Sequence, residues 1–314
     1  MNKHKHILRR LICKIKILLT SDLEKKIQVN SVLLAKLLNE SNLKIPNYNS
    51  LHQVEFKVFS QWGEDGIIQF LINKIKIKNK IFIEFGVQNY KESNTRFLLV
   101  NNNWSGLIID GSKEFIDFIK NDEIYWRYDL TAINAFITRE NINSLISEYS
   151  QEEEIGILSI DIDGNDYWIL KEINTIKPSI IICEYNSIYG NSLSLTVPYN
   201  AAFDRTKAHY SNLYWGASLQ ALCDIADEKG YFFIGSNSAG NNAFFVRKDL
   251  SGDFIPLSAK EGFVEGKFRE STDATGKLTY LSKCAKLKEI EDMEIYDTRR
   301  KKMIKISEIN IPNS

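Results

Sequence analysis

Seven short apolar runs lie between Ile81 and Val246, and stretches with helical spacing separate most of them. This alternation constrains the fold more than any other feature. Strands joined by helices are joined by crossovers, which makes them parallel neighbours in a sheet with both faces covered. The expected strands are Ile81–Phe85, Gly106–Ile109, Tyr125–Tyr128, Ile157–Ile162, Ile180–Cys183, Tyr231–Ile234 and Ala243–Val246. Helices are expected over 66–75, 94–101, 114–120, 139–149, 167–173 and 218–229. The last two runs are joined only by Ser236–Asn242, too short for a crossover, so they read as an antiparallel hairpin. The fold class is α/β: a mostly parallel sheet with an antiparallel last strand.

At 314 residues the chain holds one large domain with appendages. Residues 51–249 carry the alternating pattern. Residues 1–50 read as a basic N-terminal helical arm and linker, and residues 250–314 as a small C-terminal appendage where the pattern weakens. Hydrophobic residues at 44% and charged residues at 25% exclude disordered and fibrous classes. Forty basic and forty acidic side chains cancel, which excludes a dedicated nucleic-acid binder with its basic surplus. Cys13, Cys183, Cys223 and Cys284 are far apart and form no C-x-x-C pair, so neither a zinc ribbon nor a disulfide framework fits. The reading is cytoplasmic and reduced.

The first twenty residues contain Lys3, Lys5, Arg9, Arg10, Lys14 and Lys16 and no acid, with Ile7, Leu8, Leu11, Ile12, Ile15, Leu18 and Leu19 at helical intervals. Lys14 and Lys16 interrupt the apolar core that a secretory signal needs. A membrane span needs a longer apolar run. Two readings stay open: a basic amphipathic helix resting peripherally on the inner face of the plasma membrane, or a solvated helix packed on its own domain. Helical spacing continues through Leu33, Leu34, Leu37 and Leu38, and a linker follows at Pro46, Asn47, Asn49 and Ser50.

Ligands of open parallel sheets bind at the carboxyl ends of the strands. Glu84 stands near the end of the first run and Gly86 just beyond it, an acid for an amino group and a glycine for close backbone approach. No G-x-G-x-x-G follows, so a pyrophosphate cradle is not expected. The second run ends at Asp110-Gly111, the usual place for a carboxylate that accepts ribose hydroxyls. Asp129 follows the third expected run, positioned for an adenine amine. Three strand-end acids without a phosphate loop point to a nucleoside ligand lacking phosphates, of which S-adenosylmethionine is the common one.

The fourth run leads into Asp161-Ile162-Asp163-Gly164-Asn165-Asp166, where Asp161 and Asp163 share a face if the strand continues. Asp166 suits a cap for the next helix. The fifth run ends Cys183-Glu184-Tyr185-Asn186, with Glu184 and Asn186 on one face. Oxygen ligands gathered in this way suit Mg²⁺, Mn²⁺ or Ca²⁺. The alternative is acids that cap helices and hydrogen-bond one another. A calcium-loop reading fails because Asp166 stands where a glycine is needed. Asp161-Ile162-Asp163 also matches the short D-x-D element of metal-dependent glycosyltransferases, which stays open. So does a non-catalytic scaffold in glycan assembly.

His209 follows the fifth strand, where a substrate lid can form, and a neutral imidazole there can take a proton from a hydroxyl. Tyr199, Tyr210, Tyr214 and Trp215 nearby either stack on a sugar ring or cover the core. The amide-rich Gly235–Asn242 stretch reads as a flexible hairpin turn or a substrate-contacting loop.

Ser60-Gln61-Trp62-Gly63-Glu64-Asp65-Gly66, Phe82-Ile83-Glu84-Phe85-Gly86 and Ser159-Ile160-Asp161-Ile162-Asp163-Gly164 together resemble the FkbM-like class I methyltransferases, in the bacterial branch associated with surface polysaccharides. The resemblance covers about Phe56 to Lys248. It implies a Rossmann-like class I methyltransferase sheet and S-adenosylmethionine-dependent O-methylation of a sugar or glycan-precursor hydroxyl. By resemblance Glu84, Gly86, Asp110 and Asp129 match cofactor positions, with Gly111 beside them, and Gln61 belongs to the leading motif. Metal-dependent relatives imply Mg²⁺ or Mn²⁺ on Asp161, Glu184 and Asn186. Asp161 or His209 would be the base. The fifth strand departs from the pattern, carrying Glu-Tyr-Asn where those relatives have an adjacent pair.

Overall fold

The computed structural model describes residues 23–45, 49–268 and 271–309; the basic arm expected over the first twenty residues lies outside them. Ten strands are described: β1 (Ile81–Phe85), β2 (Ser105–Asp110), β3 (Leu130–Asn134), β4 (Glu154–Ile160), β5 (Lys177–Glu184), β6 (Leu195–Thr196), β7 (Tyr231–Ser236), β8 (Asn242–Arg247), β9 (Glu294–Asp297) and β10 (Lys302–Lys305). The first helical stretch, α1, covers 23–42. It is followed by α2 (Glu64–Lys74), α3 (Arg96–Asn102), α4 (Lys113–Asn121), α5 (Glu123–Arg127), α6 (Ile142–Tyr149) and α7 (Asp166–Glu172). Then come α8 (Arg205–Ala208), α9 (Leu219–Glu228), α10 (Ala259–Gly262) and α11 (Lys283–Glu289).

Seven strands form one sheet in the order β3-β2-β1-β4-β5-β8-β7. β1 through β5 pair in parallel, and β8 runs antiparallel between β5 and β7. The expected hairpin is therefore present, with its second strand inserted inward. Alternating strand residues feed two cores. Ile83, Leu107, Leu158 and Ile181 face the layer that holds α6, α7 and α9. Phe82, Ile108, Ile157 and Ile180 face the opposite layer, with α2, α4 and α5. Burial on both faces is why these strands read as unbroken apolar runs.

The third strand differs from expectation. Tyr125–Tyr128 falls in and just after helix α5, whose Asp122 cap accepts the Ile124 N–H at 2.9 Å. The strand is the next segment, and Leu130 pairs with Gly106. Aromatic residues favour strands in general, but here only Ile124 of the helix is buried and Trp126 faces solvent. Asp129 consequently precedes β3 and stands at the amino edge of the sheet.

Strand order reverses between β1 and β4, and this switch point opens a crevice at the carboxyl edge. After β8 the chain returns to the domain. β9 pairs with both β10 and β6, making a three-stranded sheet over a separate core containing Leu195, Tyr214, Ile295 and Ile306. No helix among the described residues is long and apolar enough to cross a membrane. Cys183 and Cys223 are free thiols.

Candidate functional site

Two joined cavities occupy the switch-point crevice. The first, about 300 Å³, is lined by Gly86, Gln88, Asp110, Gly111, Phe115 and Phe136 among others. The second, about 220 Å³, is lined by Gln61, Trp62, Asp161, Asp163, Glu184 and Arg205 among others. Gly86, Gln88, Asp161 and Asp163 belong to both walls, so the cavities meet at the ends of β1 and β4.

The narrow point is set by Gly86. Its φ of +74° is left-handed, and a Cβ there would lie 1.6 Å from the Asp161 carbonyl oxygen. Gln88, at φ 48°, and Asp163, at φ 55°, are non-glycine residues in the same left-handed region. Backbone held in this way clusters at ligand sites.

In the first cavity Asp110 is 8% exposed and accepts the Gln88 and Ser112 N–H groups at 2.8 Å each. Burial raises its pKa, against the pull of those two donors. Phe115, Phe136 and Ile137 supply apolar walls, and a Cβ on Gly111 would meet the Phe136 ring at 3.3 Å. The cavity thus pairs one carboxylate with aromatic surface.

In the second cavity one oxygen each from Asp161, Asp163 and Glu184 lies within 4.8 Å of the others. The convergence does not arise as expected: β4 ends at Ile160, and the left-handed turn at Asp163 brings its side chain round. Asp166 holds that turn, accepting the Ile162 and Gly164 N–H groups at 2.9 Å. Burial, then repulsion from Asp163 and Asp166, raises the Asp161 pKa well above the usual range. Glu184 is raised by burial and then by Asp161, while Arg205 pulls it down. Its Oε2 is buried with no hydrogen-bond partner. Arg205 donates to Asp163 Oδ1 at 2.7 Å and lies over the Trp215 ring at 4.6 Å. Three hard oxygen donors with an orphaned buried oxygen fit a divalent cation.

Four sequence-expected residues are not brought to these cavities. The Glu84 carboxylate turns into its own loop, accepting from Ser93 Oγ and Thr95 Oγ1 at 2.5 Å each and from the Asn94 N–H at 2.9 Å. Asp129 is at the opposite edge of the sheet. Asn186 donates to the Leu213 and Trp215 carbonyls, and its oxygen accepts the Ile188 N–H, so its amide organises the loop after β5. His209 is engaged with Ser211 Oγ at 2.7 Å and packs against the Tyr210 ring, outside both walls. Burial lowers its pKa, against the pull of Glu289.

The leading motif acquires a physical role. Asp65 Oδ2 accepts the Val58, Phe59 and Ser60 N–H groups at 2.7–2.8 Å. Glu64 accepts the Trp62 N–H at 2.9 Å, Asn237 Nδ2 at 2.6 Å and Asn242 Nδ2 at 3.0 Å. Asn237 in turn accepts three backbone N–H groups of its hairpin at 3.1 Å. The amide-rich turn is therefore a buried clamp rather than a flexible loop, and it fixes Gln61 and Trp62 over the second cavity. Trp62 stacks on Phe268, which completes that wall. Gln88, Arg205, Phe136 and Phe268 carried no motif in the sequence; the glycine before Gln88 and the D-x-D facing Arg205 were the nearest signals.

Sheet order and the placement of the crevice define a Rossmann-like fold of the class I methyltransferase type. No protein-family model and no curated protein matches the chain. Among solved structures it is similar to the N-terminal domain of EvdMO1 with SAH bound, at 11% identity and TM-score 0.39, covering 71% of this chain and 94% of that one. A precorrin-6y C5,15-methyltransferase from Geobacter metallireducens GS-15 matches at 8% identity and TM-score 0.34, covering 61% and 90%. TrmK of M. capricolum in complex with SAH matches at 12% identity and TM-score 0.33, covering 57% and 65%.

Proposed function

We propose that the protein is an S-adenosylmethionine-dependent O-methyltransferase acting on a hydroxyl of a sugar or surface-polysaccharide precursor. The observation that supports this reading is the pair of joined cavities, one walled by a carboxylate and aromatic rings and the other mainly by polar side chains. Asp110 is placed to accept ribose hydroxyls while Phe115, Phe136 and Ile137 enclose the adenine. The acceptor then lies in the second cavity, its hydroxyl toward Asp161 and its ring beside Trp62.

Transfer forms a bond from the hydroxyl oxygen to the methyl carbon and breaks the carbon–sulfur bond, and the hydroxyl proton passes to the Asp161 carboxylate. With no cation bound, a raised carboxylate pKa suits that step, because it makes Asp161 a better proton acceptor. Gly86 lets the two cavities meet closely enough for in-line approach, so positioning is a principal contribution. Asp161, Asp163 and Glu184 would hold a divalent cation, which when bound lowers the pKa of a hydroxyl beside it.

Calorimetric titration with S-adenosylhomocysteine tests the cofactor site. Micromolar binding that is lost in Asp110→Ala and Phe136→Ala but kept in Asp161→Asn is expected. A folded protein that does not bind, with or without Mg²⁺, sinks the reading.

A further inference from the structure

Helix α1 lies on the domain by one side only. Val32 and Ala35 pack against Phe56, Phe59 and Phe97, and Asn42 Nδ2 donates to the Val54 carbonyl at 2.9 Å. The other side carries Leu23, Ile27, Val29, Leu33, Leu34, Leu37 and Leu38, each between 47% and 64% exposed. At about 100° per residue these seven side chains cover roughly half the helix circumference, with Lys26, Asn30 and Glu40 set among them. Scattered exposed apolar residues are ordinary, but a contiguous face of this size marks an interaction surface.

We propose that this face seats the protein on an anionic lipid surface. Charge complementarity names the occupant: the twenty residues of sequence closest to the amino end carry six lysines and arginines and no acid. An apolar helical face adjoining a cationic segment is the composition that binds membrane interfaces in plane. A second copy of the chain fits less well. A coiled-coil seam is a narrow stripe, and centring one on this face places Lys26 and Asn30 between the two helices, where burial without partners is costly. At a lipid headgroup both reach water. The proposal does not depend on the methyltransferase reading.

The test is flotation of the full chain with phosphatidylcholine vesicles, with and without phosphatidylglycerol, beside light scattering of the free protein. Binding to the anionic vesicles alone is expected, falling by about tenfold or more in Leu34→Asp/Leu37→Asp. Those two side chains are 61% and 64% exposed, so the variant should melt like the wild type and bind S-adenosylhomocysteine equally. The proposal is overturned if the full chain does not float. It is equally overturned if the variant floats like wild type, or if scattering shows a dimer that the variant converts to monomer.

Discussion

At Gly86 a single methyl group separates a working crevice from a blocked one. The Asp161 carbonyl oxygen occupies the space a Cβ would need, and the left-handed φ adds strain to any L side chain. Gly86→Ala is expected to cost about 2 kcal/mol or more in chemical denaturation, since neither strand can shift without disturbing the sheet. An unchanged denaturation midpoint would mean that the crevice yields. Asp161 presents the complementary case, where chemistry and not packing is at stake. Its Asn variant keeps volume and polarity but cannot take a proton, so turnover should drop by about 10²–10⁴-fold. Binding of S-adenosylhomocysteine should stay within a few-fold. If turnover persists with a purified acceptor, the proton goes elsewhere.

Among the elements, the segment from Glu55 to Gly66 does more than its sequence suggests. Gly66 lies so close to the backbone of Val54 and Phe56 that a Cβ would meet the Val54 carbonyl oxygen at 2.1 Å. Asp65 gathers three backbone donors onto one oxygen while its other oxygen is buried without a partner. Burial outweighs those donors and raises its pKa from 3.8 to about 6. Between these two values the folded state holds a proton that the unfolded chain has released. Its stabilising contribution is therefore present below pH 3.8 and lost as pH rises through about 6. Wild type should lose about 2 kcal/mol relative to Asp65→Asn between pH 4 and 7, read as the difference between their stability–pH curves. Parallel curves would refute the assignment.

The same scale shows what the sequence could and could not reveal. The strands β4 and β5 were legible because both faces are buried. Asp110 was legible because sheet topology alone carries a strand-end acid to the crevice. The orientation of Glu84 was not legible, because Ser93 and Thr95, nine and eleven residues on, fold back onto its carboxylate. Asp129 was misplaced with the strand, since aromatic composition does not separate a short helix from an edge strand. Arg205 opens the four-residue helix α8 and Phe268 lies in a loop, and the path of both is set by tertiary contacts that no local spacing encodes.

Across the whole molecule, the C-terminal residues are tied in rather than hung on. β9 pairs with β6, which lies between β5 and α8, and Ile295 and Ile306 fill the core beneath Leu195 and Tyr214. Arg299 makes a two-pronged pair with Asp224 of α9 at 2.7 Å for each contact, and Asp224 also accepts from Ser194 Oγ at 2.6 Å. Phe268, from the loop after α10, lines the second cavity, so part of that cavity's wall belongs to this segment. A chain ending at residue 249 would expose Leu195, Val197 and Tyr189, each 1% exposed or less in the intact protein, and would unpair β6. Burying one such side chain is worth about 1.5–3 kcal/mol. The shortened chain should thus melt well below the intact one and show protease sensitivity around residues 187–215. The first cavity has no wall beyond Phe203. Measured below the lowered melting point, the shortened chain should therefore bind S-adenosylhomocysteine within a few-fold of wild type while methyl transfer is lost. Transfer at the wild-type rate would place the acceptor outside the Trp62–Phe268 wall.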